Sequence, residues 1–160
     1  MAAGPVASEQ QWHTVQRHVR AGIDEGATLV TGGPGKPDGA GCGWFARSTV
    51  FVDVTNDMTI SRDEIFGLVV SLICYDTVDE AVDIANDSRY GLAAYVDGGD
   101  PAQVREVASR LRAGTVALNG APLDPTAPFG GYKQSGHGRV WGVWGLEEYL
   151  ETKAVIGAAG

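Results

Sequence analysis

Residues 69–96 read VVSLICYDTVDEAVDIANDSRYGLAAYV, and the spacing of apolar residues in that stretch decides the fold class. Val69 to Tyr75 form a near-continuous apolar run, the pattern of a strand buried on both faces of a parallel sheet. Thr77 with Glu80 three residues later makes a capping box, and Val78, Ala81, Val82 and Ala85 then fall on one face of a helix. LAAYV at 92–96 reads as the next strand.

The same alternation continues downstream. Asp100 is placed to cap a helix with Pro101 at its first position, Val104, Val107, Ala108 and Leu111 form its apolar stripe, and Gly114 ends it. TVAL at 115–118 is then a third strand. Strand, helix, strand, helix, strand with short links is the βαβαβ pattern of a mostly parallel sheet, so the predicted class is α/β. After Asn119 the chain turns irregular through a glycine-rich segment, with a short helix predicted near 145–150, a β-like tail ETKAVIG at 151–157, and fraying at the last four positions.

Upstream, Ser8 with Gln11 makes another capping box, and Trp12, Val15, Val19 and Ile23 recur at helical spacing until Gly26. TLVT at 28–31 is a short strand, GGPGKPDGAGCGW at 32–44 is too rich in Gly and Pro for regular structure, and strand character returns at 49–54.

At 160 residues the chain holds one domain or a piece of a larger one. A net charge of −8 argues against nucleic acid as a partner, because that binding draws on clustered Lys and Arg. No apolar run reaches membrane-spanning length, the N-terminus lacks signal-peptide architecture, and the expected location is cytoplasmic. Two cysteines make no disulfide framework, no Cys or His cluster has zinc spacing, and the sequon at Asn86 to Ser88 is read as chance.

Three features carry candidate chemistry. APFGGYKQSGHGR at 127–139 resembles a phosphate loop in composition, yet the lysine is followed by Gln134 and no helix pattern starts there. The other reading is that Gly130, Gly131, Gly136 and Gly138 permit positive φ and close backbone packing. Asp63 and Glu64 are either a solvated pair or include a carboxylate that accepts hydrogen bonds from a bound polyol such as a ribose, with Phe66 offering a ring face. Cys74 reads as a buried, inert thiol and Cys42 as a loop thiol without a base, while His13, His18 and His137 read as isolated and exposed.

Taken together these segments resemble the C-terminal third of the aldehyde dehydrogenase superfamily. DEIFGL at 63–68, ANDSRYGLAA at 85–94, LRAGTVALN at 111–119, PFGGYKQSGHGR at 128–139 and GLEEYLETKAV at 145–155 follow in family order, and GPVASEQQW with EGATLVTGG fits upstream. The resemblance implies oxidation of a small-molecule aldehyde to an acid with NAD or NADP. It also implies that Glu64 hydrogen-bonds the nicotinamide ribose, that Phe66 packs beside it, and that Phe129 with Leu123 lines the aldehyde tunnel. By the same resemblance the loop Gly120 to Ala127 shapes substrate choice, Arg139 and Glu151 form a structural ion pair, and residues 151–160 supply an oligomerisation strand. Residues 1–150 then correspond to part of the catalytic domain.

The family's nucleophilic cysteine, glutamate base and dinucleotide domain are expected before Met1, so the 160 residues alone are expected to be inactive and to self-associate, as a homo-oligomer or with an N-terminal dehydrogenase portion. A non-catalytic folded remnant or interaction module is the other expectation. Two positions depart from the family pattern: Leu68 replaces a proline, and Val140 replaces a glutamate.

Overall fold

The computed structural model describes residues 4–157, which divide into two compact units, one up to Thr77 and one from Val78. The expectation of fraying at the C-terminus falls, for residues 158–160, outside the described residues.

In the first unit, α1 (Glu9–Asp24) starts where the capping residues predict, with the Ser8 hydroxyl accepting from the Gln11 amide. The box is not closed in the usual way: the Gln11 carboxamide reaches off the helix to the carbonyls of Ile65 and Phe66. Strands β1 (Thr28–Thr31), β2 (Thr49–Val52) and β3 (Val69–Ser71) form one sheet in that order, β1 antiparallel and β3 parallel to β2. Val15 and Val19 of α1 pack with Phe51 of β2 and with Val54, Ile60 and Ile65 in the core. Full burial of a side chain such as Phe51 is worth about 1.5–3 kcal/mol. The short helix α2 (Thr59–Arg62) has no periodicity to announce it; its first amide, on Thr59, donates to the Glu25 carboxylate across the fold.

The apolar run at 69–75 behaves differently from its sequence reading. The strand ends at Ser71, Val70, Leu72 and Tyr75 are exposed, and Cys74 is an exposed rather than a buried thiol. Among the described residues β3 is the last strand of its sheet, paired with β2.

In the second unit, α3 (Val78–Asn86), β4 (Ala93–Val96), α4 (Pro101–Arg110) and β5 (Thr115–Leu118) follow the predicted order. β4 and β5 pair in parallel from Ala93 with Thr115 to Val96 with Leu118. Asp100 caps α4 by accepting from the Ala102 amide. Val82 and Val104 are the buried apolar side chains among the described residues of this unit, so polar contacts carry much of its definition. Asn86 donates to the Arg110 carbonyl at 2.9 Å and accepts from the Arg112 amide at 2.7 Å, closing the end of α4. Lys133 donates to the carbonyls of Asn86 and Ser88 at 2.7 and 3.0 Å, closing the end of α3.

The glycine-rich segment packs by backbone. A side chain at Gly131 would run into Ser135, and one at Gly114 would overlap the Gly130 carbonyl. α5 (Gly142–Glu147) begins three residues earlier than its sequence reading. Among the described residues, 151–157 form no strand, and Val155 and Ile156 are 88% and 95% exposed. Among the described residues no helix is long and apolar enough to cross a membrane.

Replacing Asn86 with Ala removes both closures of α4 and is expected to lower stability by about 1–3 kcal/mol. Urea unfolding followed by circular dichroism checks this, with the exposed Asp83→Ala on the same helix expected to shift by less than about 0.5 kcal/mol.

Candidate functional site

Ile65 is buried in the core of the first unit, and its neighbours on either side, Glu64 and Phe66, are exposed. Anchoring of Ile65 therefore presents a carboxylate and an aromatic ring two residues apart on one short segment. Phe66 has φ 50°, in the left-handed region that a bulky side chain rarely adopts, and its ring is 75% exposed. Asp63 faces elsewhere, its carboxylate 3.9 Å from Nε2 of His18 on α1. An accessible carboxylate acceptor and an open ring face are the groups that a ribose and a flat heterocycle would use, so the residues present fit the nicotinamide end of a dinucleotide.

The second unit holds a cavity of about 320 Å³ against β5. Leu123 and Phe129 both line it, with Val116, Leu118 and Trp141. Phe129 is fixed by a two-way backbone pair with Val140, amide to carbonyl at 2.8 and 2.7 Å, and its ring lies on the Trp141 indole with centroids 4.9 Å apart. Trp141 carries no local signal in GRVWG; the strand-like bridge brings it to the cavity. At the rim, Asp124 accepts from the amide and hydroxyl of Thr126 at 2.8 and 2.6 Å, and these bonds, the hydroxyl's first, hold its carboxyl below the usual aspartate range.

A larger concavity, about 640 Å³, lies along the loop after β1 between Pro37 and Ser48, and holds none of the candidate residues. Arg139 has partners other than those the resemblance implies. Its guanidinium donates to the carbonyls of Gly131 and Gly138 at 3.0 and 2.8 Å, and its amide donates to Glu148, while Glu151 is exposed and makes no ion pair with it among the described residues. His13 lies 3.8 Å from Glu9, and His18 is largely enclosed, with Nδ1 against the Thr14 carbonyl, so it is neither isolated nor exposed. Both cysteines are exposed, and among the described residues no three His, Cys, Asp or Glu side chains gather as a metal site. Lys133, the phosphate candidate, is held by carbonyls at the end of α3.

The aldehyde dehydrogenase family model matches residues 1–155. A curated relative from Staphylococcus haemolyticus, which carries a provisional aldehyde dehydrogenase name, is 53% identical over 154 residues, covering 96% of this chain and 32% of its own length. The structure of aldehyde dehydrogenase C from Pseudomonas syringae, a cysteine-to-alanine mutant complexed with NAD+ and octanal, is 58% identical with a TM-score of 0.92, over 95% of this chain and 31% of that one. An aldehyde dehydrogenase from Mycobacterium tuberculosis complexed with NAD+ is 47% identical with a TM-score of 0.88, over 91% of this chain and 30% of that one. The chain thus spans about a third of the length of the relatives it matches.

Because both Thr126 bonds reward the ionised carboxylate, the stability they lend the cavity rim is present above the ordinary aspartate pKa of about 3.9 and lost as pH falls through the depressed value of Asp124. Carbon-detected NMR titration is expected to give Asp124 a midpoint below that of a free aspartate. Thr126→Val is expected to move it back up.

Proposed function

The chain belongs to the aldehyde dehydrogenase family, and from that premise we propose that it forms the C-terminal third of an NAD(P)-dependent enzyme that oxidises an aldehyde to a carboxylic acid. The observation that carries this is the gathering of Leu123, Phe129 and Trp141 around one apolar cavity, in a chain whose Pseudomonas syringae relative is held with NAD+ and octanal. When bound, the dinucleotide accepts the hydride. Glu64 orients the nicotinamide ribose by accepting from its hydroxyls, Phe66 covers the ring side and excludes water, and Phe129 with Leu123 walls the apolar part of the aldehyde. Leu68 loosens the turn beyond Phe66 relative to the family's proline, and Val140 removes a carboxylate from the position paired with Phe129.

The nucleophilic thiol, the base and the nucleotide cradle come from outside these 160 residues, since Cys42 and Cys74 stand in the wrong motif contexts. Association through the apolar C-terminal segment completes the picture: Tyr149, Val155 and Ile156 are each more than 85% exposed. It takes place with a second copy or with an N-terminal dehydrogenase portion. The second reading, a folded module without catalysis, is favoured by the bonds that Asn86, Gly91 and Lys133 make within the second unit.

The test joins the first two thirds of Pseudomonas syringae aldehyde dehydrogenase C, with its cysteine intact, to this chain. NADH formation from octanal is expected in the chimera and absent from the 160 residues alone. Glu64→Gln is expected to lower kcat/KM for the dinucleotide roughly 10- to 100-fold. Phe129→Ala is expected to raise KM for octanal roughly 10-fold or more. A folded chimera without NADH formation would establish the non-catalytic reading.

A further inference from the structure

Phe66 is the aromatic residue of the candidate dinucleotide segment, and its backbone sits where only glycine is at ease. Such a conformation persists only when neighbouring groups hold it. Gln11 is the group in place to do so. Its Nε2 lies 2.8 Å from the carbonyl oxygen of Ile65 and 3.1 Å from that of Phe66, so one carboxamide donates a hydrogen to each of two consecutive carbonyls. In an extended segment successive carbonyls point to opposite sides. Turning both toward one donor requires a bend between them, and the left-handed φ at Phe66 is that bend.

The donor itself is rigid. Gln11 occupies the third position of α1, where its amide is capped by Ser8, and one turn further along the same helix Val15 lies fully buried against the next residue of the segment, with no room for a side chain at Gly67. Residues 65–67 are thereby clamped along one face of α1: the Ile65 side chain in the core, two carbonyls on Gln11, Gly67 on Val15. We propose that Gln11 is a positioning residue that holds Phe66 in its left-handed conformation and so fixes the ring face offered to the nicotinamide end of the cofactor. The positional claim concerns this chain alone; its consequence for catalysis rests on the dehydrogenase reading above.

Two substitutions separate the clamp from helix stability. Gln11→Glu places a carboxylate against two carbonyl oxygens while keeping the residue type that a capping box and the helix dipole favour at that position. Gln11→Met keeps the length and removes both donors without adding charge. In the 160-residue chain, NMR chemical shifts and the three-bond HN–Hα coupling of Phe66 are expected to leave left-handed values in both variants, while the shifts of residues 12–24 stay helical in Gln11→Glu. Phe66 that keeps its left-handed shifts in both variants overturns the proposal.

In the chimera, Gln11→Glu is expected to raise KM for NAD roughly 10-fold with kcat within about 2-fold, a split that general destabilisation would not produce. An unchanged KM in a variant whose Phe66 has moved overturns the positioning role. A chimera inactive even with Gln11 in place instead overturns the dehydrogenase reading, and the NMR result alone then decides whether Gln11 holds the segment.

Discussion

The carbonyl of Gly91 accepts two backbone amides at once, from Gly114 at 3.0 Å and from Tyr132 at 2.8 Å, and the second unit is organised by that shared bond. It ties the entrance of β4 to the entrance of β5 and to the glycine-rich segment. The Gly91 amide meanwhile donates to the Ser135 hydroxyl, and a side chain there would strike the Arg112 carbonyl and Tyr132. Three chain segments can approach so closely only where no β-carbon intervenes. With the segment fixed at Tyr132, the chain before it runs back past Gly130 to Phe129, which pairs with Val140 and meets Trp141. The apolar cavity thus follows from a backbone contact some distance along the chain from it.

The first unit solves a related problem with side chains. α1 carries its apolar face into the core through Val15 and Val19, and it also spends polar groups on the irregular chain beside it. Trp12 donates to the Phe45 carbonyl, buried Gln16 accepts from the Gly35 amide, and Gln11 holds the carbonyls of Ile65 and Phe66. Loops have no ladder to satisfy their backbone, so a helix that supplies donors and acceptors from successive turns orders them at little expense in burial. The candidate cofactor segment is one of the stretches so ordered.

The apolar residues left exposed, among them Val70, Leu72, Tyr75 and Tyr95 as well as the tail, belong to segments that in the matched relatives form part of chains about three times as long. A surface of that kind is adapted to being covered.

The element types of most of the chain were legible from periodicity and caps: α1, α3 and α4, their capping residues Ser8 and Asp100, and the strands near 28, 49, 93 and 115 all stand where 3.6- and 2-residue repeats placed them. The family was legible too, because several motifs in fixed order carry far more information than any one. Partnership was not legible. Arg139 serves carbonyls instead of Glu151, and Cys74 is exposed instead of buried. Local sequence sets what a segment prefers to be, since propensity and spacing act within a few residues. Which donor meets which acceptor depends on how the segments pack, and only the tertiary structure decides that.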